Sequence, residues 1–345
     1  MSSRKLLSAR RVRVTGTVAA FLVALVAATT AIDAAAPVNP AGSPANEVFH
    51  KLDFLLGHLG DYDVVYVGSS RTRRAFDPAL FDAELARRGI HVRSFNLGIP
   101  GTRAFAQEDL VRRLLRADTS RLKLVIIAPE ALETDLTPDR AHADRQVLWH
   151  DVRRTFAALK AVAQSPAGVR DRTTWARGHV ESFLLNVTGA GRLSNRFNYR
   201  VGTDDAEILG PRGDGFSPIP IVETDQARLT QRVADVVLAE RKPAPRPTRA
   251  ELAFVARVST RLRRHGIGVA FVREPILFTA RTRFLRWFHD NDPSAPVVDL
   301  GNPFGHPGLF RPRLFHDAGH LDATGAYVFT RVLARELLPL LDGGA

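Results

Sequence analysis

Cysteine is absent from the 345 residues. Disulfides, thiolate zinc sites, iron–sulfur clusters and a cysteine nucleophile are therefore excluded, so any metal would rest on His, Asp or Glu and any nucleophile is an oxygen or a nitrogen. Lysine is scarce too, with five Lys against 43 Arg among the 48 basic residues. That skew reads as base composition of the coding DNA, and no nucleic-acid partner is expected. What is present, 45% hydrophobic and 24% charged residues, is enough for one large or two small globular domains and excludes a disordered or collagen-like chain.

Charge is also missing locally, because Val14 to Ile32 carry none while Arg4, Lys5, Arg10, Arg11 and Arg13 precede them without an acid. The pattern is that of an export signal. Nineteen residues span about 28 Å as a helix, close to the roughly 30 Å of a bilayer core, so residues 1–36 are expected to form a cytoplasmic basic flank and a transmembrane signal anchor. The localisation this predicts is the cell membrane, single-pass, with the C-terminal domain outside the cytoplasm. Cleavage after Ala34-Ala35-Ala36 and secretion is the alternative, which Pro37 disfavours. Residues 1–37 hold five bases and Asp33, which leaves the exported remainder at +8 of the total +12. A surplus of that sign favours anionic partners outside the cell.

Residues 37–48 have the Pro/Gly/Ser content of a linker, and a domain is expected from 49 to 345. Strand-length apolar runs alternate there with amphipathic stretches: strands at Asp63–Val67, His91–Phe95, Leu122–Ile127, Gly268–Val272 and Pro296–Asp299, and helices at Pro78–Arg88, Arg103–Arg116, about 248–265, Ala280–His289 and Thr324–Leu341. Alternation of this kind predicts an α/β fold with a parallel, helix-covered sheet. Residues 130–247, with helical stretches near Val147–Ala163 and Thr224–Ala239 and a Gly/Pro-rich piece at Gly210–Pro220, are expected to be an insertion.

Ligands of open α/β sheets bind beyond the carboxyl ends of the strands, so the loops that follow the strands are where chemistry is sought. After the first strand, Gly68-Ser69-Ser70-Arg71 can present a hydroxyl at a helix start, which makes Ser70 the candidate nucleophile. After the second, Asn96-Leu-Gly98-Ile-Pro-Gly101 lets the backbone approach a ligand, and the Gly101 N–H can serve an oxyanion hole together with that of Ser70. Before the last helix, Asp317 stands three residues ahead of His320. A serine hydroxyl needs a base, and a histidine base needs a carboxylate to fix its tautomer, so this pair completes a triad. Each motif alone also fits an ordinary turn or a solvated pair. His316, Asp317 and His320 could be read as metal ligands, but they lie in a glycine-containing loop without a third strong ligand, and no metal or cofactor is expected. Arg71, Asn96, Glu130 and Arg273 are candidate rim residues for substrate, with a structural ion pair as the competing reading for Arg273.

Taken in order, Gly68-Ser69-Ser70, Asn96 to Gly101 and Asp317-x-x-His320-Leu resemble the three corresponding blocks of the SGNH/GDSL hydrolase superfamily, over about residues 61–128 and 248–341. The resemblance implies a flavodoxin-like three-layer α/β/α fold, with Ser70 matching the nucleophile, Gly101 the oxyanion glycine, and Asp317 and His320 the remaining pair. Two departures stand out. Ser69 occupies a position where many members have Asp, and the third block, usually Gly-x-Asn-Asp, is replaced by Ala128-Pro129-Glu130-Ala131. A carboxylate at Glu130 would repel an oxyanion unless it is protonated or turned away.

With the N-terminal segment, the chain is similar to the extracytoplasmic acyl-transfer branch that includes proteins of alginate O-acetylation and teichoic-acid D-alanylation. That likeness implies a membrane-anchored serine acyltransferase or esterase acting on O-acyl groups of a cell-surface polysaccharide or lipid-linked saccharide, beside a membrane-bound O-acyltransferase partner. A non-catalytic glycan-binding or assembly scaffold that keeps the fold is the alternative.

Overall fold

The computed structural model describes residues 44–342 apart from 133, 190–207, 279–282 and 293–294, together with five positions between 20 and 31. The N-terminal anchor expected at Val14–Ile32 lies almost wholly outside the described residues, and among these no helix is long and apolar enough to cross a membrane.

Five strands form one sheet: β1 (Val64–Gly68), β2 (Ser94–Gly98), β3 (Leu124–Ile127), β4 (Gly268–Arg273) and β5 (Val297–Asp299). All pairings are parallel, in the order β2-β1-β3-β4-β5. The first three strands are buried at every position, as expected of parallel strands covered on both faces. The second strand begins three residues later than the apolar run at His91–Phe95 suggested, because Asn96 and Gly98 belong to it despite their poor strand propensity.

Side chains alternate between two helical layers. Val64 and Tyr66 of β1, Leu124 and Ile126 of β3 and Ala270 and Val272 of β4 join one core cluster. Further members come from α2 (Ser70–Ala75) and the Phe76 that ends it, from α3 (Pro78–Ala86) through Phe81, and from a C-terminal helix at Ala323–Glu336 through Phe329 and Leu333. On the opposite face pack α4 (Ala104–Leu114), with Phe105 and Leu110 buried, and a helix at Arg249–Arg263, whose Phe254 ring meets Phe271 of β4 edge-on at 6.4 Å. The result is a mixed α/β fold consistent with three α/β/α layers. Helix α1 (Pro44–Gly57) starts inside the expected linker, and its buried Lys51 donates to the Gly98 carbonyl at 2.9 Å and the Gly215 carbonyl at 2.7 Å.

The chain divides into two compact units. One carries the sheet; the other comprises Asp135–Leu159 and Ala167–Gly202 with the N-terminal residues up to Asn46. Of the stretch expected as an insertion, Lys160–Pro166 and the described residues from Ile208 onward group with the sheet-bearing unit. There the Asn96 N–H donates to the Asp214 carbonyl at 2.9 Å, which holds the Gly210–Phe216 turn against β2.

The smaller unit contains α5 (Pro138–Ala141), α6 (Asp144–Trp149) and α8 (Val169–Val187), while α7 (Val152–Ala163) runs across the division. No helix was expected at 169–187, and the reason is physical. Its inward face is small and polar, burying Gly178, His179 and Ser182, while Val169, Val180 and Leu184 are exposed. Gly178 is needed there, because a side chain would overlap the Leu136 carbonyl. His150 and His179, both buried, share a 2.9 Å Nε2–Nδ1 hydrogen bond, and burial holds the His150 ring below the ordinary histidine range. The C-terminal part of the sheet unit adds α9 (Gln226–Glu240), α10 (Arg249–Arg263), α11 (Phe284–Asn291), α12 (Ala323–Glu336) and α13 (Leu338–Asp342).

Candidate functional site

Strand β1 ends at Gly68, and the chain turns at once into α2, so that Ser70 is the first helical residue. Ser69 adopts extended backbone angles and its hydroxyl accepts from the Arg71 N–H at 3.3 Å, capping the helix. The turn is tight because side chains are missing where they would collide. A Cβ on Gly68 would overlap Thr72, and one on Gly98, at the end of the neighbouring strand, would overlap the Arg73 backbone. Asn96 completes the seating of the helix. It is fully buried, donates to the Thr72 carbonyl at 2.8 Å and the Phe76 carbonyl at 2.7 Å, and accepts from the Gly98 N–H at 2.8 Å. The expectation that Asn96 lines a substrate rim is therefore corrected: every polar atom of its side chain is spent on the backbone around α2.

His320 reaches Ser70 from the loop that precedes α12. The loop is closed by the pairing of Phe315 with Leu321 and by the His316 N–H on the His320 carbonyl at 2.9 Å. Asp322 caps α12 by accepting from the Gly325 N–H at 2.8 Å. His320 Nε2 lies 2.9 Å from Ser70 Oγ, and His320 Nδ1 lies 3.0 Å from both carboxylate oxygens of Asp317. An Nδ1 facing a carboxylate carries the proton, which leaves Nε2 as acceptor for the serine O–H. Burial pushes the Asp317 carboxyl upward, but the Gly319 N–H and the His320 ring outweigh it and hold the group below the usual carboxylate range. Three residues separated by 250 positions thus stand as hydroxyl, base and orienting carboxylate. In this arrangement both His320 ring nitrogens are engaged, and among the described residues no group of three ligating side chains is placed to hold a metal ion.

Gly101 is exposed and turns with φ +72°, a backbone conformation that favours glycine. Glu130 points to the guanidinium of Arg71 and forms an ion pair with it, both side chains being mostly buried. Its N–H is anchored by Gln107 Oε1 at 3.3 Å, and the Gln107 amide donates to the Ala128 carbonyl at 2.8 Å, so the loop after β3 is fixed to α4. The Arg71 guanidinium also lies 5.7 Å from the centre of the half-exposed Phe278 ring. Arg273, the other expected rim residue, does not reach the surface. It is 3% exposed, with Nη1 2.9 Å from Glu240 Oε1 and Nη2 3.0 Å from Asp299 Oδ2, so the structural ion pair is what the fold contains.

Glu274 follows Arg273 at the carboxyl end of β4, where the sequence alone places the pair at the rim or in a structural ion pair. It lies buried beneath α2, where Oε1 accepts from Thr72 Oγ1 at 2.6 Å and Tyr66 OH at 3.0 Å. An acid at the carboxyl end of a central strand was the available signal. Burial is the main reason its carboxyl is pushed up to about 7, against the opposing pull of Arg71 and of the Thr72 hydroxyl. The folded chain therefore keeps this proton to higher pH than the unfolded chain, and the stability Glu274 contributes is complete below its ordinary value of 4.5 and lost as pH rises towards 7. Glu274→Gln is accordingly expected to gain thermal stability relative to the parent between about pH 5 and about pH 8. A difference in melting temperature that stays constant with pH would contradict this.

No protein-family model matches the chain, and no curated protein matches it. What the site can do is therefore argued from the geometry above. A hydroxyl poised on an oriented imidazole suits nucleophilic attack on a carbonyl.

Proposed function

We propose that the chain is an SGNH-like serine acyltransferase or esterase, anchored in the cell membrane and acting outside the cytoplasm on O-acyl groups of a cell-surface polysaccharide or lipid-linked saccharide. The observation that carries this reading is the continuous Asp317–His320–Ser70 hydrogen-bond chain, with both links at 3.0 Å or less. The sheet order 2-1-3-4-5 and the location of all three residues in the segments that follow the carboxyl ends of β1 and β5, Ser70 at a helix start and Asp317 and His320 in a loop, support it.

In the proposed mechanism His320 Nε2 takes the Ser70 proton as Oγ attacks the acyl carbonyl. The resulting oxyanion rests on the Ser70 and Gly101 N–H groups, and the imidazolium, steadied by Asp317, returns the proton to the leaving alkoxide. A sugar hydroxyl or water, deprotonated by the same His320, then resolves the acyl-enzyme and regenerates Ser70. Glu130 does not oppose the oxyanion, because its charge is matched by Arg71. The missing third-block Asn leaves a hole of two backbone donors, and loss of one donor in comparable sites costs about 10²–10³ in rate. Such an enzyme suits an activated acyl donor, as a membrane-bound O-acyltransferase partner would supply.

Fluorophosphonate labelling of the full chain tests this reading. Labelling that disappears in Ser70→Ala and in His320→Ala is the expected result. A folded parent chain that takes no label would leave a non-catalytic scaffold as the better account.

A further inference from the structure

Away from Ser70, the strongest unassigned feature is a groove of about 590 Å³ between α4 and α10, lined by Arg112, Arg116, Arg257, Arg261, Arg264 and His265, with Leu115, Ala256 and Thr260 between them. Helix α4 leaves the carboxyl end of β2 and α10 leads into the amino end of β4, so their final turns lie at the edge of the sheet opposite the triad. Arg257 and Arg261 of α10 are followed by Arg264 just past its end, and Arg112 of α4 by Arg116 just past its end, so arginines from both helices and their C-terminal turns line the one groove.

The acids nearby are already spent. Glu108 takes Arg257 in a two-pronged pair (Nε–Oε1 3.1 Å, Nη2–Oε2 2.8 Å) and accepts from Arg261 at 3.4 Å. Asp109 is held by Arg112 and by Arg113 Nε at 2.9 Å. Arg116 and Arg264 are exposed and make no ion pair among the described residues. Five arginines line the groove and, together with Arg113 beside it, share the two carboxylates Glu108 and Asp109, an excess of four positive charges in and next to the concavity. Like charges at helical i,i+4 spacing and across a narrow groove repel, so the arrangement costs the fold stability that a bound anion would return.

We infer that this groove binds a phosphate-bearing anion, at a site separate from the triad. Phosphate is favoured over carboxylate because one guanidinium fork satisfies both oxygens of a carboxylate. A phosphate presents further oxygens that a second fork on the opposite helix can take. The volume lies within the range of small-ligand sites. Phosphate chemistry can reach the groove as a free polyphosphate chain or as an anionic lipid headgroup, and the two are separable in solution.

The test uses the full chain and its Arg116→Glu/Arg264→Glu double variant, both exposed positions outside the catalytic proposal. Inorganic tripolyphosphate is titrated calorimetrically, and sedimentation is measured with phosphatidylglycerol vesicles against phosphatidylcholine vesicles. Tripolyphosphate binding that weakens at least tenfold in the double variant and falls steeply with salt supports the site with a soluble phosphate ligand. An excess of vesicle binding with phosphatidylglycerol over phosphatidylcholine that is lost in the double variant supports it with a headgroup as ligand. Tripolyphosphate binding and phosphatidylglycerol excess that are equal in the two proteins, or both absent from the folded parent, overturn the inference. Fluorophosphonate labelling of Ser70 is expected to be unchanged in the double variant, so failure here is distinguishable from failure of the proposed acyl transfer.

Discussion

Asp317→Asn is expected to slow hydrolysis of an activated ester by about 10²–10⁴, with little change in thermal stability. Asp317 fixes the proton on His320 Nδ1, and the amide of Asn can donate to that nitrogen instead. The proton then moves to Nε2, where the ring donates to Ser70 Oγ and no longer accepts from it. The range extends below the roughly 10⁴ known for a buried triad because the Asp317 side chain is 52% exposed, and solvent can reorient His320 in some molecules. Steady-state kinetics with a p-nitrophenyl ester, parent against variant, measures the effect. A loss smaller than about threefold would show that the carboxylate does not govern the imidazole.

The second large effect concerns stability. Arg273 is enclosed by Glu240 and Asp299, whose side chains are, like its own, almost wholly buried, and Glu240 also binds Arg286 at 2.8 Å and Arg283 at 3.1 Å. Burial alone would lower the Arg273 pKa, but Asp299 and Glu240 outweigh it and raise it. Arg273→Met keeps most of the volume but strands the Asp299 carboxylate at the end of the sheet and takes from Glu240 one of its three arginines, and a loss of about 3–5 kcal/mol is expected from chemical denaturation. Combining it with Asp299→Asn removes one stranded charge and should recover part of that loss. A single-variant loss under about 1 kcal/mol would mean that water reaches the cluster and screens it.

The sheet was legible from the sequence because its strands are continuous apolar runs, and four of the five begin within two residues of the expected positions. The exception, β2, contains Asn96 and Gly98, polar and flexible residues whose place in a strand is decided by α2 packing onto them. That long-range contact has no local signature. Asn96 was misassigned for the same reason: a polar residue in a loop-like motif looks accessible until the helix that covers it is seen. The helix at 169–187 escaped notice because it buries Gly178, His179 and Ser182, reversing the usual apolar-inside pattern.

At the candidate site, Ser70, Asp317 and His320 could be picked out because strand-end loops concentrate function and because the base and its carboxylate lie three residues apart. That Glu130 is neutralised by Arg71 could not be read, since 59 residues separate them and only the fold brings the loop after β3 to the first turn of α2. The environment of Glu274 could not be read either: a structural ion pair is the competing reading at Arg273, yet Arg273, the last residue of β4, points into the Glu240–Asp299 cluster while Glu274, just beyond the strand, points beneath α2.

The central claim is that Ser70 is acylated through His320. Brief incubation of the full chain with p-nitrophenyl acetate at mildly acidic pH, followed by acid quench and peptide mass spectrometry, tests it most directly. The account predicts one added acetyl group on the peptide that contains Ser70, absent from Ser70→Ala and strongly reduced in His320→Ala. Acetylation at another residue, or acetylation that persists undiminished in Ser70→Ala, would contradict it.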